Sequence, residues 1–164
     1  MNEPAASAQP DTLSARQIAL DIFATVMDGH QPLDQVLEEN RAMLALTAQN
    51  RAFVRMLVAT TLRRLGQIDD FIRRATEKNT PPSPPLLHHL LRIGATQIAF
   101  MDVPDYAAAD TSVNMAEARG LARQKGLVNA VLRRRARDHA GWAANQDAPR
   151  MNTPDWLMKI LIND

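Results

Sequence analysis

An all-α fold follows from two features of the sequence. Aromatic residues make up only 4% of the 164 residues and glycine occurs six times, while Ala, Leu, Arg and Met are plentiful, a balance that suits helices and starves sheets. Apolar residues also recur at the three- and four-residue spacing of amphipathic helices along most of the chain, and the length suffices for one domain with a real core.

The elements come in this order. Residues 1–12 are rich in Ala, Ser and Pro and read as a disordered tail. From Ser14, the residues Ile18, Ile22, Phe23, Val26 and Met27 keep a helical period until Gly29 stops it. Pro32 opens a short helix with Leu33, Val36 and Leu37 on one side, ending near Asn40. Thr47 caps one long helix that carries Phe53, Val54, Leu57, Val58, Leu62, Leu65, Ile68 and Ile72 and stops before Pro81. The prolines of TPPSPP, residues 80–85, form a joint that divides the chain into halves. Leu86 to Met101 makes the next helix, and the turn at Asp102–Asp105 leads into another that runs to about Arg119.

The stretch KGLVNAVLRRRAR, residues 125–137, is the most informative. On a helical wheel Leu127, Val128, Val131 and Leu132 share one arc and face a core, whereas Asn129, Arg133 and Arg137 succeed one another at four-residue spacing on the other side, with Arg134 at its edge. Arg135 lies in line with the apolar arc and extends its guanidinium outward from it. After residue 140 a polar linker, 141–152, precedes Thr153-Pro154-Asp155, which announces a last helix bearing Trp156, Leu157, Ile160 and Leu161. A helix that short needs a partner surface: the bundle itself or a further domain.

Charge is uneven along the chain. Residues 1–50 hold two cations and seven acids, whereas residues 51–137 hold fifteen cations and seven acids. Between 117 and 137, Arg119, Arg123, Lys125, Arg133, Arg134, Arg135 and Arg137 stand against Glu117 alone, a candidate surface for RNA or another polyanion. Solvated helix ends also collect cations, but less asymmetrically. Asn129 reads as a structural residue, a partly buried amide that ties its helix to a neighbour.

Several chemistries are excluded. Without cysteine the chain has no disulfide, no thiolate zinc site and no cysteine nucleophile. His88 and His89 point about 100° apart on a helix and do not chelate together. The glycines never approach a dinucleotide or P-loop spacing, so no cofactor site is written in this chain, and the methionines read as core fillers. No cationic start, no leader-like apolar run and no stretch of 18 apolar residues is present, so the expectation is a soluble, cytoplasmic protein with no membrane partner.

The run Gly126-Leu-Val-Asn-Ala-Val-Leu-Arg133 resembles the G-F-V-N-A-V-L-R signature of the NusB-like family. Around it the family order recurs: Arg16 with Ala19 in the first helix, Asn50-Arg51-Ala-Phe53 before the long helix, Leu90-Leu-Arg92 after the proline joint, and Val103-Pro104 at the turn. The likeness spans about residues 14–138. It implies two packed three-helix bundles, with an RNA-binding domain over 13–140.

The family has two main forms. One is the free-standing transcription antitermination factor, which binds RNA together with a ribosomal protein through a basic first helix. The other is the N-terminal domain of the RsmB (Sun, Fmu) methyltransferases, which methylate carbon 5 of an rRNA cytosine. Here Arg16 is the only cation before Arg41, unlike the arginine-rich first helix of the antitermination factors. Thr153-Pro-Asp-Trp156-Leu157 resembles the helix that leads toward the catalytic part of the methyltransferases, so residues 153–164 are expected to begin a connection to a domain absent from this chain. Methylation at that carbon needs a cysteine thiolate and an S-adenosylmethionine pocket on a parallel sheet, neither of which belongs to a cysteine-free helical chain. The chain alone is thus expected to recognise rRNA rather than catalyse. The expected RNA contacts are Arg16, Arg119, Arg123, Lys125, Arg133, Arg134 and Arg137; the expected partners are rRNA, a ribosomal protein and the protein's own methyltransferase domain. A pure protein-interaction bundle is the third possibility.

Overall fold

The computed structural model describes residues 10–137 and 146–163, with side chains over 14–134 and 146–162. The tail expected over 1–12 lies mostly outside these residues, as does the first part of the expected linker; Pro10 to Thr12 already belong to the first helix. The described residues contain helices and no strand, as the composition requires.

In chain order α1 is Pro10–Gly29, α2 Leu33–Glu39, α3 Ala48–Arg63, α4 Leu65–Thr76, α5 Pro85–Phe100, α6 Asp105–Ala118, α7 Lys125–Arg137, α8 Ala148–Met151 and α9 Asp155–Asn163. Short 3-10 turns occupy Arg41–Ala45 and Ala122–Gln124. The chain divides into two compact units, Met1–Val58 and Ala59–Asp164. The boundary falls inside α3, not at the proline joint expected to halve the protein.

In the first unit α1 buries Ala15, Ala19, Leu20, Ile22 and Phe23, a single apolar stripe, and packs against α2. Gly29 ends α1 as expected, but the left-handed conformation beyond it falls on His30, at φ 51°. Asn40 caps the 3-10 turn by accepting from the Met43 N–H at 3.2 Å, and Thr47 caps α3 by accepting from the Asn50 N–H at 3.2 Å, the cap its sequence position predicts.

In the second unit α5 is the central helix. Leu87 and every residue from His89 to Ile98 are buried, and α4, α6 and α7 pack against it. Gly94 permits this crowding: a β-carbon there would lie 2.8 Å from both Leu132 Cδ1 and Ser112 Oγ, so only glycine lets α6 and α7 come so close. Thr61 donates to Thr96 within this core at 3.0 Å. The single long helix expected from Thr47 to before Pro81 is instead two helices, broken at Arg64 (φ −106°, ψ 14°). Hydrogen bonds nearly bridge the break, from Arg64 N–H to Thr60 O and from Ile68 N–H to Arg64 O, which is why the apolar period runs through it undisturbed. Residues 77–84 are the irregular joint, and Pro85 sits at the start of α5, where its missing N–H costs nothing.

Candidate nucleic-acid interface

α6, the 3-10 turn and α7 form a helical hairpin that collects most of the expected cations. Gly120, at φ 75°, reverses the chain after α6, and Val128, Val131 and Leu132 bury the inner face of α7. Leu127 departs from the expected core stripe: it is 39% exposed, because the buried face of α7 is centred one position further round the helix.

The burial of one face fixes where the charges go. Arg123 and Arg133 are exposed, while Arg119 and Lys125 are half-buried. Lys125 Nζ pairs with Glu117 Oε2 at 3.4 Å across the hairpin, and Arg133 Nε donates to Asn129 Oδ1 at 2.8 Å one turn back in α7. Asn129 is half-buried as expected, but this bond holds an arginine of its own helix rather than tying α7 to a neighbour. Lys125 and Arg133 lie about 12 Å apart along α7, roughly two phosphate steps of an extended strand. Arg134 faces elsewhere: its Nη1 reaches Ala75 O and Glu77 Oε1, each at 3.5 Å, at the C-terminal end of α4. Arg137 and Arg135 lie in α7 with side chains outside the described ones.

Arg16 departs from its expected role. It is 9% exposed, its guanidinium lies 5.2 Å from the centroid of the Phe53 ring, and burial lowers its pKa. A cation held over an aromatic face packs its own unit and presents little charge to solvent.

Two polar clusters were not legible in the sequence. On α4 and α5, Arg92 holds Asp69 through two hydrogen bonds of 2.7 Å, His88 Nε2 reaches the same carboxylate at 2.9 Å, and buried His89 lies 3.2 Å from Arg92 Nη1. Burial alone raises the Asp69 pKa, but the bonds from Arg92 and His88 outweigh it and hold the carboxyl below its ordinary range. The histidines considered as ligands lie in a hydrogen-bond network around the Arg92–Asp69 ion pair, and no group of three metal-ligating side chains occurs among the described residues.

The second cluster docks the segment around α8 onto α4. Gln67, buried, accepts from Asn152 Nδ2 at 2.8 Å and donates to Gln146 Oε1 at 3.0 Å, while its backbone N–H reaches Asn152 Oδ1 and its carbonyl accepts from Gln146 Nε2. Gly66 lets the backbones touch, since a β-carbon there would fall 1.6 Å from Met151 O. Residues 146–152, read as linker, are therefore fastened. Beyond them α9 exposes Trp156, Ile160, Leu161 and Ile162, each more than half accessible.

The order of helices and the α7 motif decide the family: residues 13–137 match the model of the NusB family. The chain belongs to the NusB family. A NusB structure from T. maritima has the same fold, with a TM-score of 0.68 at 23% identity over 85% of this chain and 95% of that one. Among curated relatives, the ribosomal RNA small subunit methyltransferase B of Xanthomonas campestris is 32% identical over 160 residues, and that of Vibrio vulnificus 27% over 152. A probable enzyme of the same name from Synechocystis is 29% identical over 155 residues. The match takes in 90–93% of this chain but only 34–35% of each relative, so the chain spans about a third of their length. No described helix is long and apolar enough to cross a membrane.

Proposed function

We propose that this chain is the RNA-recognition domain of an rRNA cytosine-5 methyltransferase, and that its α6–α7 hairpin holds rRNA for a C-terminal catalytic domain. The observation that carries the reading is the cationic edge of that hairpin, Arg119, Arg123, Lys125 and Arg133, on a NusB-family fold whose curated relatives are named as rRNA methyltransferases. Guanidinium and ammonium groups at helix-turn spacing meet successive phosphates of a backbone and fix its position without reading sequence. Arg134, tied to the end of α4, orients α7 in this reading and is not a principal phosphate contact.

S-adenosylmethionine does not fit the residues present. A donor pocket of the doubly wound kind needs a parallel sheet, and the described residues have no strand and no glycine-rich turn of the required spacing. Methyl transfer is accordingly assigned to no residue of this chain. The fastened segment 146–152 and the apolar face of α9 support the same reading: Gly66 and Gln67 set the direction in which α9 leaves the bundle, and its exposed Trp156 and isoleucines suit the surface of the catalytic domain.

A free-standing antitermination factor, acting with a ribosomal protein, is the alternative, since the fold is shared with the T. maritima NusB chain. The size of the endogenous polypeptide separates the two. A species about three times this length, binding rRNA through the hairpin, supports the methyltransferase reading; a 164-residue species overturns it in favour of the free factor.

A further inference from the structure

If the α6–α7 hairpin is an RNA surface, its geometry offers more than phosphate contacts. Between α6 and α7 lies an open groove of about 510 Å³, lined by Asp110, Val113 and Asn114 on one side and Lys125, Gly126 and Asn129 on the other. Tyr106, one turn before Asp110 on α6, is 69% exposed; Tyr106 and Trp156 are the exposed aromatic rings among the described residues. Positions 106, 110 and 114 succeed one another at four-residue spacing, so the ring stands on the same side of α6 as the groove wall.

The groove suits a base better than a phosphate. Asp110 in its wall is a carboxylate, which repels phosphate; Lys125, the cation in its lining, is already paired with Glu117 at 3.4 Å, and Arg123 and Arg133 are not among the lining residues. Carboxamides are the side chains that donate and accept side by side, matching the paired amine and ring nitrogen of adenine or cytosine. A carboxylate accepts from an exocyclic amine and finds no such donor on uracil. Apart from its chain neighbours and the backbone of its own helix, no heavy atom lies within 4 Å of where a β-carbon of Gly126 would stand, leaving that wall open for a planar ring. A-form duplex hides its major-groove edges from side chains, so these groups need an unpaired strand.

We infer that the α6–α7 groove takes an unpaired adenine or cytosine from the RNA lying along the arginine edge, with Tyr106 as the stacking platform for a neighbouring base and Asn114, Asn129 and Asp110 as the reading groups. The domain then selects single-stranded segments by base as well as by charge. This selectivity rests on the RNA-recognition role proposed for the hairpin.

Single-stranded decamer RNAs of equal charge provide the test, all-uridine and the same strand with three central adenines or cytosines, with a ten-base-pair duplex of twice their charge as the paired control, each titrated against the 164-residue chain. One substituted decamer is expected to bind about tenfold more tightly than all-uridine, with the duplex weakest. Asn114→Ala, which leaves the Asn129 bond to Arg133 in place, should abolish that preference while leaving all-uridine affinity and its salt dependence unchanged. Tyr106→Ala should weaken every single-stranded decamer about tenfold and leave the duplex unchanged, and Tyr106→Phe should restore binding. Gly126→Leu, which meets open space, should fill the groove and remove the preference with the thermal midpoint unchanged. Equal affinity for all decamers overturns the inference and leaves the cationic edge as an RNA surface. If Gly126→Leu leaves every RNA affinity and the preference intact, the inference falls and the groove is a protein contact. If no RNA binds, the proposed function fails with it.

Discussion

Arg92 grips Asp69 with both arms of its guanidinium, Nε on Oδ1 and Nη2 on Oδ2, each at 2.7 Å, and so locks α4 to the central helix of the second unit. The arginine is 9% exposed and the carboxylate 34%, so the pair is screened by water on one side only. Replacing Asp69 with Asn leaves a buried guanidinium without its countercharge. The expected loss, discounted from that of a fully buried pair for the exposure of Asp69, is about 2 kcal/mol, read from the urea midpoint.

The same pair sets an acid response. Asp69 has a folded-state pKa below its ordinary 3.8, so its contribution is present in full above that value and is lost as pH falls through the lower, folded value. Stability measured near neutrality and at about pH 2–3 should fall less in Asp69→Asn than in the wild type.

Gly94 is expected to tolerate nothing larger. Gly94→Val drives methyl groups into Leu132 and Ser112, already 2.8 Å from a β-carbon, and should cost about 2 kcal/mol or more by calorimetry.

Gly66→Ala tests the fastening of residues 146–152. Its methyl group cannot coexist with the Met151 carbonyl in its present place, so the segment must leave α4. Protease cleavage within 146–152 should accelerate in Gly66→Ala, and to a smaller degree in Gln67→Ala, while hydrogen exchange in α5 is unchanged.

Much of the helical frame was readable from the sequence, including the Thr47 cap, the Gly29 stop and the start of α7. Three features were not, for physical reasons. The break at Arg64 leaves the hydrogen-bond ladder nearly continuous, and a pattern of faces does not register a bend that keeps its phase. The unit boundary falls within a helix, where composition does not change. Arg16 reads as a surface cation because nothing in its own neighbourhood announces Phe53, 37 positions later.

The candidate site was legible to a similar extent. Clustered cations between 117 and 137 marked the hairpin, but their number said nothing about which would be exposed; packing turned Arg134 toward α4 and left Arg123 and Arg133 outward. Tyr106, Asp110 and Asn114 carried no signal until α6 was laid beside α7.

Cation removal separates the edge into its members. Arg123→Glu and Arg133→Glu should each lower RNA affinity at low salt and reduce the salt slope by about 0.7, the increment of one single-strand phosphate contact. Arg16→Gln should leave that slope unchanged, because its guanidinium faces Phe53, and should register instead as a lowered thermal midpoint.

The most direct measurement is the salt dependence of binding between this chain and a single-stranded rRNA segment. Four contacts from Arg119, Arg123, Lys125 and Arg133 predict that log affinity falls with log salt at a slope near −3, on the order of −0.7 per contact. No binding at low ionic strength, or a slope unaffected by charge reversal at Arg123 and Arg133, would contradict the assignment of this hairpin as an RNA surface.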